Sequence, residues 1–206
     1  MNKNNFMTTL LSTVLVIIAA IAFKPSLSLG SDKKPKFVEY VSTENYFKCR
    51  IPEDWSKSEQ VFGLCEEEKR VYGVTLLGPP NENQVSTSIS IHYYAPGNIV
   101  HKTMDKFIKL HAKPVFGVAE EGQSFSKVRQ VRIAGRKAMA FDRIDIRFLG
   151  HEEINPKKVS VYERFVVVPA MDDMGFYVLI LSVPEEIKDK YKETFEKTVK
   201  SFLPEK

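Results

Sequence analysis

Two stretches, "RFVVVPA" (164–170) and "GFYVLILS" (175–182), are apolar on both alternating faces. Successive side chains of a strand point to opposite sides, so a strand apolar at every position must be covered on both. A sheet that is dry on both faces at its middle needs a packed layer on each side. The "MDDM" between the two stretches reads as a connecting turn, since aspartates favour turn geometry by themselves. This pair of strands excludes an open, single-layered sheet and requires helices elsewhere in the chain.

Two helices fit that requirement. Over Thr103–Lys113, Met104, Phe107, Ile108 and His111 fall at i, i+3, i+4 and i+7, with Thr103 placed to cap and Pro114 to stop the helix. Ser182 and Glu185, with Pro184 between them, form a capping-box pattern. Behind it Ile187, Tyr191, Phe195 and Val199 recur four apart, and "SFLP" ends the stripe. The other strands alternate. In Tyr46–Ile51, Phe47, Cys49 and Ile51 point one way and Lys48 and Arg50 the other, and Pro52 stops the ladder. Phe37–Val41, Val61–Glu66, Arg70–Leu77 and Ser86–Tyr94 are further extended pieces, with "GPPNEN" as a strong turn. Val128–Ile133 and Lys137–Phe148 flank "AGR" as a hairpin turning on Gly135. The expected fold class is α+β: an α/β/α sandwich, mostly antiparallel sheet with helices on both faces.

Ahead of this domain, Leu10–Phe23 is an almost unbroken apolar run, and Ser28 and Gly30 are placed for cleavage before Ser31. That is the pattern of a signal peptide over 1–30, followed by a 31–36 linker and a 37–206 domain. The alternative is an uncleaved anchor, but Lys24, Lys33, Lys34 and Lys36 follow the run, against the charge preference of an N-in anchor. The expected location is periplasmic or secreted, the alternative being membrane-anchored and facing outside. Membrane contact is expected only through that segment. Residues 1–30 hold Lys3 and Lys24 and no acid, so without them the formal charge falls from +4 to +2. With no basic stripe interleaved with aromatics, a nucleic-acid partner is not expected.

Candidate chemistry is sparse. If the segments around the two cysteines pair as a hairpin centred near Lys57, Cys49 lies opposite Cys65 on one face. A disulfide there suits an exported protein and would add about 3 kcal/mol by chain entropy. The alternative is two buried thiols packed as small hydrophobes. No CxxC is present to make a redox-active pair. The histidines, His92, His101, His111 and His151, lack metal-binding spacing. His151, Glu152 and Glu153 read as a solvated loop, and no calcium loop, GxSxG, GxGxxG or P-loop occurs, so no metal, cofactor or catalytic residue is assigned. Trp55, Tyr93 and Tyr94 are candidate partner-binding aromatics at strand ends, with capping of the core by Trp55 as the competing reading.

The order of these pieces has a family likeness. "RIPEDW" runs a strand into a proline and a tryptophan. A mid-chain amphipathic helix, the hairpin "VRIAGRKAMAFDR" and a terminal helix ending "FEKTVKSFLP" follow. Over about residues 37–204 this resembles the PsbP-like family, which includes the extrinsic photosystem II protein, the Ran-binding Mog protein and exported bacterial proteins of unknown role. The resemblance implies binding rather than catalysis: a non-enzymatic docking module for a protein partner in the cell envelope. The competing expectation is a small hydrolase or ligand-binding protein with a site scattered in sequence.

Overall fold

The computed structural model describes residues 35–58, 69–80, 85–115, 117–149, 156–171 and 175–205. The chain divides into Met1–Asp32 and Lys33–Lys206. The leader of residues 1–30 and the first four linker residues lie outside the described residues, as do strand 61–66, Cys65, His151 and Asp172-Asp173.

Eleven strands form two antiparallel sheets among the described residues. The larger has the order β3-β4-β5-β10-β9-β8-β6, with β7 also on β8. Its strands are β3 (Ser56–Ser58), β4 (Val71–Leu77), β5 (Ser88–Tyr94), β6 (Ser124–Phe125), β7 (Arg129–Ile133), β8 (Arg136–Leu149), β9 (Lys157–Pro169) and β10 (Phe176–Pro184). The doubly apolar stretches lie in β9 and β10, side by side in the interior of that sheet. Helix α1 (Met104–His111) and helix α2 (Lys188–Ser201) cover opposite faces. Phe107 of α1 meets Phe141, Phe165, Val167, Phe176 and Val178, while Tyr191, Phe195 and Val199 of α2 join Val166, Val168, Leu179 and Leu181. The even and odd positions of one strand thus feed two separate cores, and the α+β sandwich with helices on both faces is what forms. Full burial of each large apolar side chain contributes roughly 1.5–3 kcal/mol.

The small sheet departs from the single sheet read in the sequence. β2 (Phe47–Pro52) lies between β1 (Phe37–Val41) and β11 (Leu203–Pro204), on the α2 side of the molecule. Its inward residues Phe47, Cys49 and Ile51 are 0–3% exposed. The chain leaves α2 at Ser201, whose hydroxyl donates to the Thr198 carbonyl and accepts from the Arg50 N–H at 2.8 Å. Phe202 then turns extended and is buried against Phe47 and Tyr177. The capping box is not formed either. Ser182 is still in β10 and its hydroxyl accepts from Arg147, so a single 3₁₀ turn at Glu185–Ile187 leads into α2.

The β7–β8 turn places Ala134 at φ 47° and Gly135 at φ 79°. Two successive left-handed residues match the twist of the hairpin, and alanine is strained there by about 1–2 kcal/mol. Ala134→Asn is therefore expected to raise stability by roughly 0.5–1 kcal/mol, read as a higher midpoint in urea. An unchanged or lower midpoint would show that the turn does not hold this strain.

Candidate functional site

The aromatic residues singled out in the sequence are not at the surface. Trp55 is 6%, Tyr93 2% and Tyr94 7% exposed. Trp55 sets its ring 5.8 Å from that of Tyr191, at 70°, and lies over Gly78, where a Cβ would come within 3.0 Å of the indole. Tyr93 stacks on Tyr177 at 4.9 Å, on the α2 side of the sheet. Tyr94 stacks on Phe176 at 4.8 Å on the opposite side. A strand end is covered whenever a neighbouring layer overhangs it, which a local pattern does not reveal. The exposure that partner anchoring by these three rings would need is absent.

The second arm of the hairpin read around Lys57, residues 61–66 with Cys65, lies outside the described residues. Lys57 lies in β3 opposite Leu76, and Cys49 lies opposite Tyr40 of β1, with β11 on the other edge of β2. Cys49 is buried and makes no disulfide among the described residues. Burial pushes its thiol up to about 12, which removes it as a thiolate nucleophile at neutral pH.

Charges cluster instead where β8 and β9 pair. Asp142 lies opposite Arg164 and Arg143 opposite Glu163, so consecutive residues carry ion pairs to opposite faces. On the α2 face, burial alone would raise Asp142. Hydrogen bonds and charge from Arg164, with a further bond from the Tyr162 hydroxyl, hold it below the usual carboxylate range. On the α1 face, the buried Glu163 carboxylate accepts from Arg143 and Arg147, and Arg147 also reaches Ser182 at 3.2 Å.

His111 of α1 lies over this second cluster. Its ring stacks on Phe165 at 5.6 Å, and Arg143 Nη1 lies 3.4 Å from its Nδ1. A guanidinium only donates, so Nδ1 accepts and the proton sits on Nε2, which is buried without a partner among the described residues. Burial, then the charge of Arg143, then His101, lower its pKa to about 4, and burial alone lowers that of His92 to about 4. The unfolded chain takes up protons near 6.5, before the folded one does. The stability these neutral rings provide is complete above that pH and is lost as pH falls toward 4. His111→Phe, which keeps a ring on Phe165 and cannot charge, is expected to flatten the fall in Tm between pH 6.5 and 4. An identical slope in wild type and variant would remove His111 from that account.

The outward side of α1 is different in kind. Lys106, Lys109, Leu110 and Lys113 repeat the i, i+3, i+4, i+7 spacing of the buried stripe, shifted by two residues. With Pro114, Val115 and Gly117 they line an open groove of about 460 Å³. Leu110 is 46%, Val115 74% and Val118 79% exposed, and Ile99 and Val100 precede the helix in the same state. Among the described residues, five of the eleven exposed large hydrophobics thus fall between 99 and 118. None of Lys102, Lys106, Lys109 or Lys113 forms an ion pair among the described residues. This second stripe is as periodic in the sequence as the first, but its signal is charge rather than apolarity. Apolar side chains concentrated on one exposed face, rimmed by charge, mark a surface that is covered by something else.

No family model matches the chain, and no curated protein matches it. Among solved structures the chain is similar to cyanobacterial PsbP (CyanoP) from Synechocystis sp. PCC 6803, at 13% identity over 87% of this chain and 99% of that one, with a TM-score of 0.49. It is also similar to the Ran-binding protein Mog1p of Saccharomyces cerevisiae, at 8% identity over 83% of this chain and 96% of that one, with a TM-score of 0.45. These two similar structures carry the names of proteins in the PsbP-like family that the sequence resembles.

Proposed function

We propose that the protein is a non-enzymatic docking module, exported by its apolar leader, that holds a protein partner of the cell envelope against the outward face of α1. The observation that carries this reading is the grouping of exposed Leu110 and Val115 in one groove with lysines that make no ion pair among the described residues. A hydrolase would need a nucleophile and a base converging in a cavity. The groove beside α1 and a second open groove lined by Ser160, Glu185 and Asp189 among others, both within the described residues, are lined by neither histidine nor cysteine.

A photo-crosslinking side chain at Leu110, in the cells that make the protein, tests the reading. A discrete protein adduct is expected there, and none from the same group at exposed Lys200 on α2. The adduct should also disappear when Lys106, Lys109 and Lys113 are changed to glutamate. Equal labelling at both positions, or none at either, would overturn the docking role.

A further inference from the structure

Resting on the docking role of α1, we infer that its groove takes a polypeptide segment in which a bulky apolar side chain is flanked by carboxylates. The groove has an apolar floor and wall in Leu110, Pro114 and Val115, and a rim of ammonium groups in Lys106, Lys109 and Lys113. Lys102, two residues before the first residue of the helix, is exposed. An apolar anchor surrounded by polar contacts that exclude water is the usual anatomy of a binding hot spot. Here every fixed charge on the rim is positive, so acids beside the anchor are attracted and bases are repelled.

The shape and charge balance favour a segment over a bilayer. A concave site receives a protruding side chain, whereas a bilayer receives a protruding loop. Lys33–Lys206 carries a formal charge of only +3, since Lys3, Lys24 and Asp32 belong to the preceding unit. Exposed Asp105 on α1, and exposed Glu120 and Glu121 shortly after Gly117 in the chain, add negative charge to this stretch that an anionic plane would repel. A narrow segment needs to approach only the lysines. Electrostatic selection of this kind acts over about one Debye length, roughly 8 Å at physiological salt.

The test uses a displayed library of random short peptides, selected on the immobilised full chain and on the variant Lys106→Glu, Lys109→Glu, Lys113→Glu. Enriched peptides are expected to carry Asp or Glu on both sides of Leu, Ile or Phe. Their affinity should fall by about tenfold or more on the variant and on raising salt. Leu110→Ser should weaken them while leaving the salt dependence in place. Matching thermal melts of the variants and wild type separate loss of binding from loss of fold. Enrichment of peptides without acids, equal binding to the charge-reversed variant, or no enrichment would each overturn the inference. So would lysine-dependent co-sedimentation with mixed phosphatidylcholine–phosphatidylglycerol vesicles, which would give the face to lipid. In every one of these cases the crosslink from Leu110 still decides whether a protein docks there, so the two readings fail separately.

Discussion

Glu163→Ala is expected to destabilise the fold by about 3–5 kcal/mol, the range for removing one partner of a buried charge pair. The Glu163 side chain is 8% exposed, and both of its oxygens accept from guanidinium groups. Its loss leaves Arg143, only 20% exposed, beside His111 and over the Phe165 ring, with Asp145 at 4.0 Å as its remaining counter-charge. For a domain of this size the effect corresponds to a fall in Tm of roughly 10 °C. Most of the loss comes from the stranded cation rather than from the attraction removed. The double change Arg143→Met with Glu163→Leu should therefore recover much of the stability, because a buried pair exchanged for apolar groups is often neutral. Urea midpoints of the two singles and the double complete the cycle. A double variant as unstable as the sum of the singles would sink this account of the pair.

Trp55→Ala should be comparably damaging, at about 3–5 kcal/mol for a large aromatic removed from a packed site. The indole fills the space between Gly78, just past the end of β4, and Tyr191 on α2, so its deletion opens a cavity between the sheet edge and the helix. The expected readout is a clear loss of thermal stability, with crosslinking from Leu110 retained at temperatures where the variant is folded. If Trp55→Ala instead left Tm unchanged and removed the adduct, the tryptophan would be a partner contact and not a core residue.

The parts of the fold that were legible in the sequence are those fixed by short periods. The two apolar runs predicted strands covered on both faces, and β9 and β10 occupy that position between the α1 and α2 cores. The stripes through Phe107 and through Tyr191, Phe195 and Val199 predicted the two helices and their buried faces. What could not be read depends on partners distant in the chain. β11 is two residues long and has no period of its own; it exists because Leu203 and Pro204 pair with Lys48 and Phe47. Ser182 carried a cap signal, but the Arg147 guanidinium, already bound to Glu163, takes its hydroxyl. Trp55 closes the core, as the capping reading of it expects, while the burial of Tyr93 and Tyr94 was not legible because the layers that cover them lie far away in sequence. The basic stripe on α1 was local and periodic, and a search for charge period alongside apolar period would have found it.

The way β2 is held between β1 and β11 has a kinetic consequence. One of its contacts, from the Arg50 N–H to the Ser201 hydroxyl, spans 151 residues, and Phe202 closes the core over Phe47 from the same distance. Contacts so far apart in the chain form late and slow the folding reaction, because a long loop must be closed before any of them rewards it. As the chain emerges, its first strands stand without their second neighbour until nearly everything after them has appeared. That delay keeps the polypeptide threadable for longer, a property suited to the export route proposed for it. Shortening the wait, by a circular permutation of the 37–206 domain that joins the end of β11 to the start of β1 and keeps the leader in front, should give a faster-folding protein that crosses a membrane less readily.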